Sequence, residues 1–172
     1  MKRSVFHIFL WMVISGLLFS CSKEKSGSDS LNALQKEAAL KKGDKLKKKY
    51  KTKKLTIDGL QETIPNNSSA TGTLEVEYRT DTKVLELSMS FKNLTAAATA
   101  AHIHGPGAPG VNAPVIIPLA IPNETSGTFS GNFVTTNYPT FNEEHLLNGL
   151  YYINIHNSSF PAGEIRGQII FK

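Results

Sequence analysis

The chain has 172 residues, 40% of them hydrophobic and 19% charged, with a net charge of +5 and one cysteine. That length suits one domain with appendages. The composition excludes wholesale disorder and a collagen-like repeat, and a lone cysteine excludes an intrachain disulfide.

The charge is unevenly placed. Fourteen of the 19 Lys and Arg residues but only four of the 14 Asp and Glu residues precede Leu55, so this arm carries +10 and the remainder −5. A basic arm meets nucleic acid or an anionic membrane surface. The start of the chain decides for the membrane. Lys2 and Arg3 precede an apolar run from Val5 to Phe19, broken only by His7, Ser15 and Gly16. About 18–20 apolar residues are needed to cross a bilayer as a helix, so this run reads as the h-region of a secretory signal. Leu18-Phe19-Ser20-Cys21 resembles a bacterial lipobox. The resemblance implies cleavage before Cys21 and acylation of its thiol (diacylglycerol and palmitate-type chains), which anchors the chain at about 0.8 kcal/mol per buried methylene. Residues 1–20 are thus expected to be a lipoprotein signal peptide, with the protein at the outer membrane or cell surface, on its periplasmic or external face. Ser22-Lys23-Glu24 resembles part of a lipoprotein surface-export signal.

Residues 21–54 read as a lysine-rich tether. Leu31, Leu34 and Ala38 share a helical face, with Asp29 or Ser30 as N-cap, and Gly43 and Lys47-Lys48-Lys49 argue against a packed continuation. The expectation is a short helix fraying into a solvated spacer. Its lysines either lie along anionic headgroups or only keep the spacer soluble.

From Leu55 to Lys172 the pattern is that of strands. Leu74, Val76 and Tyr78 alternate with Glu75, Glu77 and Arg79, and Leu85, Leu87, Met89 and Phe91 alternate with Glu86, Ser88 and Ser90. This is the period of half-buried strands, and the polar Thr80–Lys83 connection makes them a hairpin. Further strands are expected near Ala98–His104, Val115–Leu119, Gly127–Val134, Leu150–His156 and Glu164–Phe171. One short helix is expected where Thr140 and Glu143 form a capping box, Leu146 and Leu147 supply an apolar face and Gly149 the stop. About seven short strands separated by turns predict an all-β, antiparallel Greek-key β-sandwich, immunoglobulin-like or Cu,Zn superoxide dismutase-like.

Three segments carry a family resemblance: Asp58-Gly59-Leu60-Gln61-Glu62-Thr63-Ile64-Pro65 with Ala70-Thr71-Gly72-Thr73 behind it; Ala101-His102-Ile103-His104-Gly105-Pro106; and Leu150-Tyr151-Tyr152-Ile153-Asn154-Ile155-His156 followed by Pro161-Ala162-Gly163-Glu164-Ile165-Arg166-Gly167-Gln168. In this order they resemble the CHRD (chordin-type) domain family from about Leu55 to the C-terminus. The resemblance implies a sandwich fold and an extracytoplasmic compartment more than an activity, because function is argued from a site.

His102 and His104 share one face of a strand, and His156 follows Asn154 at the same spacing on a later one. Three imidazoles so placed suit a copper or zinc ion, with Glu164 as an additional candidate. The same pattern resembles the copper-binding strands of Cu,Zn superoxide dismutases, but nothing between His104 and His145 replaces the bridging histidine, and the zinc-ligand cluster and disulfide pair are missing. The competing reading has His102, His104 and His156 pinning adjacent loops through ring nitrogens. In that reading Asn154, Glu164 and Arg166 form a polar cluster, Glu164 and Arg166 being a same-face ion pair. His145 is expected on the surface. The sequence contains no Gly-x-Ser-x-Gly elbow, phosphate-cradling loop or HExxH helix. Three functions follow in order: a monomeric, non-enzymatic binding or structural module with a protein or glycan partner and no nucleic acid; a copper- or zinc-binding envelope protein; and a redox enzyme.

Overall fold

The computed structural model describes residues 32–40 and 47–172. The signal peptide, Cys21 and the expected cap at Asp29 or Ser30 lie outside the described residues, as do Leu31 and Gly43. Residues 32–40 form helix α1, whose side chains, including Leu34 and Leu40, are exposed.

The β domain contains nine strands: β1 (Lys49–Lys51), β2 (Leu55–Asp58), β3 (Thr71–Arg79), β4 (Val84–Lys92), β5 (Ala98–His104), β6 (Val115–Leu119), β7 (Gly127–Val134), β8 (Tyr151–Asn157) and β9 (Ile165–Ile169). A short helix, α2 (Glu143–Leu147), precedes β8. All pairings are antiparallel, in the order β6-β5-β8-β9-β2-β3-β4-β7, with β1 added on β3. The sandwich-like expectation is met by one curled sheet with two halves, β6-β5-β8-β9 and β2-β3-β4-β7. A single register pair, Asp58↔Arg166, joins them between β2 and β9.

Alternation explains why these residues form this sheet. Leu74, Val76 and Tyr78 of β3 and Leu85, Leu87, Met89 and Phe91 of β4 all point inward, where they meet Ile103, Ile153, Ile155, Ile165 and Ile169 from the other half. Each such side chain is worth about 1.5–3 kcal/mol buried rather than exposed. A one-residue slip would turn a whole row outward, so the β3–β4 register from Thr71↔Lys92 to Arg79↔Val84 is strongly specified.

Two local expectations are corrected. The solvated spacer ends earlier than residue 54, because Lys49–Lys51 pairs with Glu77–Arg79. The lysine run conceals a period of two: Tyr50 turns in against Phe171, while Lys49 and Lys51 turn out toward Glu77 and Glu75, at 2.7 and 4.0 Å. Thr52 is buried, and its hydroxyl accepts from the Val76 amide. The cap of α2 is Asn142, not Thr140: its side-chain oxygen accepts from the His145 amide at 3.0 Å. Glu143 is engaged instead by the Tyr78 hydroxyl at 2.7 Å and Lys83 Nζ at 2.5 Å. Gly149, at φ +72°, stops the helix as expected.

Candidate functional site

The half-sheet β5-β8-β9 is buried on both faces. Ala101, Ile103, Tyr151, Ile153, Ile155, Ile165 and Ile169 line the apolar core, so the alternate residues must face the other way. These are His102 and His104 on β5, Tyr152, Asn154 and His156 on β8, and Arg166 and Gln168 on β9. Connecting segments cover them: residues 59–66, residues 105–114, and the turn after β8. The outcome is a buried polar layer behind the hydrophobic core.

Cross-strand register builds this layer. His102 stands opposite Asn154 and His104 opposite Tyr152, while Asn154 stands opposite Arg166 and Tyr152 opposite Gln168. The His104 and Tyr152 rings stack, with centroids 4.9 Å apart and planes 3° apart. The Arg166 guanidinium lies 3.4 Å from the Tyr152 ring centroid, a cation–π contact. Arg166 is 1% exposed and its fork is fully used. Nη1 donates to Thr63 Oγ1 and the Val111 carbonyl, and Nη2 donates to the Ala108 carbonyl and Gln168 Oε1, all at 3.0–3.2 Å. Gln168 in turn donates to the Gly107 and Gly149 carbonyls.

The three strand histidines come together at one end of this layer. One ring nitrogen from each of His102, His104 and His156 lies within 4.8 Å of the other two. His102 Nδ1 is 3.2 Å from His156 Nε2. His104 Nδ1 faces the Ala113 carbonyl at 2.8 Å, and His156 Nδ1 faces the Pro161 carbonyl at 3.0 Å. A carbonyl only accepts, so both Nδ1 atoms carry the hydrogen and both Nε2 atoms keep a lone pair. Burial lowers the pKa of all three rings: the adjacent His104 adds to this at His102, the Arg166 charge at His104, and the other two imidazoles at His156.

Glu164 does not join them, nor does it pair with Arg166 as the same-face expectation had it. Its carboxylate, fully buried, turns to Ser68 Oγ at 2.5 Å, to the Thr95 amide at 3.0 and 3.2 Å, and to Asn157 Nδ2. The polar cluster therefore divides, with Asn154 and Arg166 in one part and Glu164 in another. The reason is that Glu164 precedes β9 and lies in the turn, where donors from two loops and from the end of β8 converge. His145 is half-buried on α2, apart from the cluster.

The residue that sequence reasoning missed is Glu62. It follows a 3-10 turn, Gly59–Gln61, in a segment with no periodic signal, and only the fold brings it under the layer. It is 6% exposed, and its Oε1 has no hydrogen-bond partner. A Cβ at Gly163 (φ +127°) would lie 2.4 Å from Glu62 Oε1 and 2.8 Å from Asn154 Nδ2, so glycine is required there both by conformation and by space. Burial pushes the Glu62 carboxyl up to about 7 from 4.5, with Arg166 and the Thr63 amide opposing the rise. The folded protein thus holds this proton more tightly than the unfolded chain. Its stability contribution falls as pH rises from about 4.5 to about 7, and the full cost is present above that window. Glu62→Gln should therefore stabilise the domain at pH 8, on the order of 2 kcal/mol, and leave stability at pH 4 unchanged. Thermal melts across pH test this; parallel profiles for the two proteins would refute it.

A family model described as the CHRD domain matches residues 54–169, more than half of the chain. No curated protein and no solved structure matches it.

Proposed function

Because the chain belongs to the CHRD domain family, we propose that it is a lipid-anchored module of the cell envelope that binds a protein partner rather than catalysing a reaction. The observation that carries the binding reading is the Arg166 clasp. One buried guanidinium fastens residue 63 and residues 108 and 111 to the sheet, and Thr63 Oγ1 also donates to Asn112 Oδ1 at 2.7 Å. Ile64, 80% exposed, and Val111, 51% exposed, flank that contact. Apolar side chains held out on loops fixed from beneath favour recognition, since little conformational freedom remains to be lost on binding. Their apolar character favours a protein surface over a glycan. The anchor rests on the sequence, in the apolar leader and Cys21 at the lipobox-like site.

Two measurements test this reading. In cells making the full chain, a photo-crosslinking residue at Ile64 or Val111 is expected to give one discrete adduct, and the same residue at Val134 on β7 is expected to give none. Adducts at neither rim position, or equally at all three, would overturn the binding surface. Cys21→Ser is expected to abolish acyl labelling and move the protein from membrane to soluble fraction; an unmodified thiol in the wild-type N-terminal peptide defeats the anchor.

A further inference from the structure

Three buried side-chain atoms among the described residues have no hydrogen-bond partner: His104 Nε2, Asn154 Oδ1 and Glu62 Oε1. All belong to the polar layer over β5-β8-β9. Leaving a buried polar group unpaired costs about 1–3 kcal/mol; the Asn154 side chain lies beside the His104 ring, but no direct hydrogen bond of ordinary geometry satisfies either atom. His104 is the most informative. It is 8% exposed, its Nδ1 is committed to Ala113, and Nε2 is the nitrogen this leaves it to offer to the cluster with His102 and His156.

We propose that His102, His104 and His156 bind a single copper(II) ion, with zinc(II) as a weaker competitor, through His102 Nδ1, His104 Nε2 and His156 Nε2. Geometry supports the donor set. Two nitrogens each about 2.0–2.1 Å from one ion are separated by about 2.9–3.4 Å at angles from square to tetrahedral. The His102–His156 separation of 3.2 Å falls in that range. The three donors all lie within 4.8 Å of one another, close to the roughly 4 Å that two donors around one ion can span.

Second-sphere contacts are of the kind that metal-bound imidazoles use. A ligating histidine generally donates its other N–H to a carbonyl or carboxylate, which sets its tautomer and ring plane. Ala113 and Pro161 do this for His104 and His156. Loop pinning accounts for Nδ1 of His104 and of His156; a shared ion takes their Nε2 atoms, replacing the His102 Nδ1–His156 Nε2 contact and satisfying His104 Nε2. Three imidazoles without thiolate or carboxylate suit copper and zinc, and copper(II) binds nitrogen donors more tightly in the divalent series. His102 and His156 are half-buried, which leaves solvent a route to the ion.

The test uses the full chain, extracted from membranes in detergent, stripped with chelator and titrated with Cu2+ and Zn2+ against a competing chelator. One copper per chain is expected, with nitrogen superhyperfine structure in the electron paramagnetic resonance spectrum. A hundredfold excess of copper over Kd should raise the melting midpoint by at least about 5 °C. His104→Gln and His156→Gln should each weaken binding at least a hundredfold, and His145→Gln should leave it unchanged. Where His104→Gln fails to fold, His102→Gln at the more open rim supplies the same comparison. Less than 0.2 copper per chain, or an affinity that His102→Gln changes by less than threefold, overturns the proposal.

Discussion

Arg166→Met should lower the melting midpoint of the domain by about 10 °C or more, the consequence of losing roughly 3–5 kcal/mol. The methionine fills much of the volume but supplies no donor. Thr63 Oγ1, the Val111 and Ala108 carbonyls and Gln168 Oε1 all lose their guanidinium partner, and Tyr152 loses the cation on its ring. The loss is also electrostatic. Glu62 feels Arg166 as the main influence holding its carboxyl down against burial. Without that cation the carboxylate becomes more costly to keep charged, so the Arg166→Met defect should be smaller at pH 5.5 than at pH 8. Adding Glu62→Gln should recover part of it. Arg166→Lys should not rescue, since an ammonium lacks the rigid fork that reaches acceptors on two loops and Gln168 on its own strand at once. Melting curves of the single and double variants decide the matter; an Arg166→Lys protein within about 0.5 kcal/mol of wild type removes the clasp as the organiser of the loops.

Glu164→Ala should be comparably severe, about 3 kcal/mol or more. This carboxylate lies where three segments of the chain meet: Ser68 before β3, Thr95 between β4 and β5, and Asn157 at the end of β8. None of the ion pairs among the described residues involves it. Its charge is balanced by hydrogen bonds alone, so alanine leaves several buried donors unmet. Glu164→Gln should rescue poorly. The Thr95 amide and the Asn157 side-chain amide both donate, and a carboxamide must turn its own NH2 toward one of them. Denaturant titration should show the midpoint falling in both variants with little change in slope. If Glu164→Gln proves as stable as wild type, the carboxylate does not organise these loops.

Much of the fold could be read before the structure. Strands at Ala98–His104, Val115–Leu119 and Gly127–Val134 have the expected bounds, and the β3–β4 hairpin turns where the polar Thr80–Lys83 connection indicated. These segments either alternate strictly or lie between prolines and glycines, so local pattern and tertiary need agree. Strand β1 was hidden because three consecutive lysines outweigh one tyrosine in any local reading. Its place on β3 depends on contacts far away in the chain: Tyr50 packs on Phe171, Lys49 pairs with Glu77, and Thr52 exchanges hydrogen bonds with Val76. The meeting of His102, His104 and His156 was legible from their spacing on two strands. Glu62 was not, since nothing near it in the chain indicates burial.

Residue order by itself determined a β-rich CHRD domain behind a basic arm, and which side chains of each strand share a face. A period of two settles those faces locally, whatever the strand later pairs with. Tertiary structure decided which of those faces is dry, which is polar and sealed by loops, and which charged groups are neighbours. Arg166 and Glu164 are two residues apart in the chain yet serve separate networks. The partners of a buried charge are fixed by which loops fold over it, and that is a property of the whole chain.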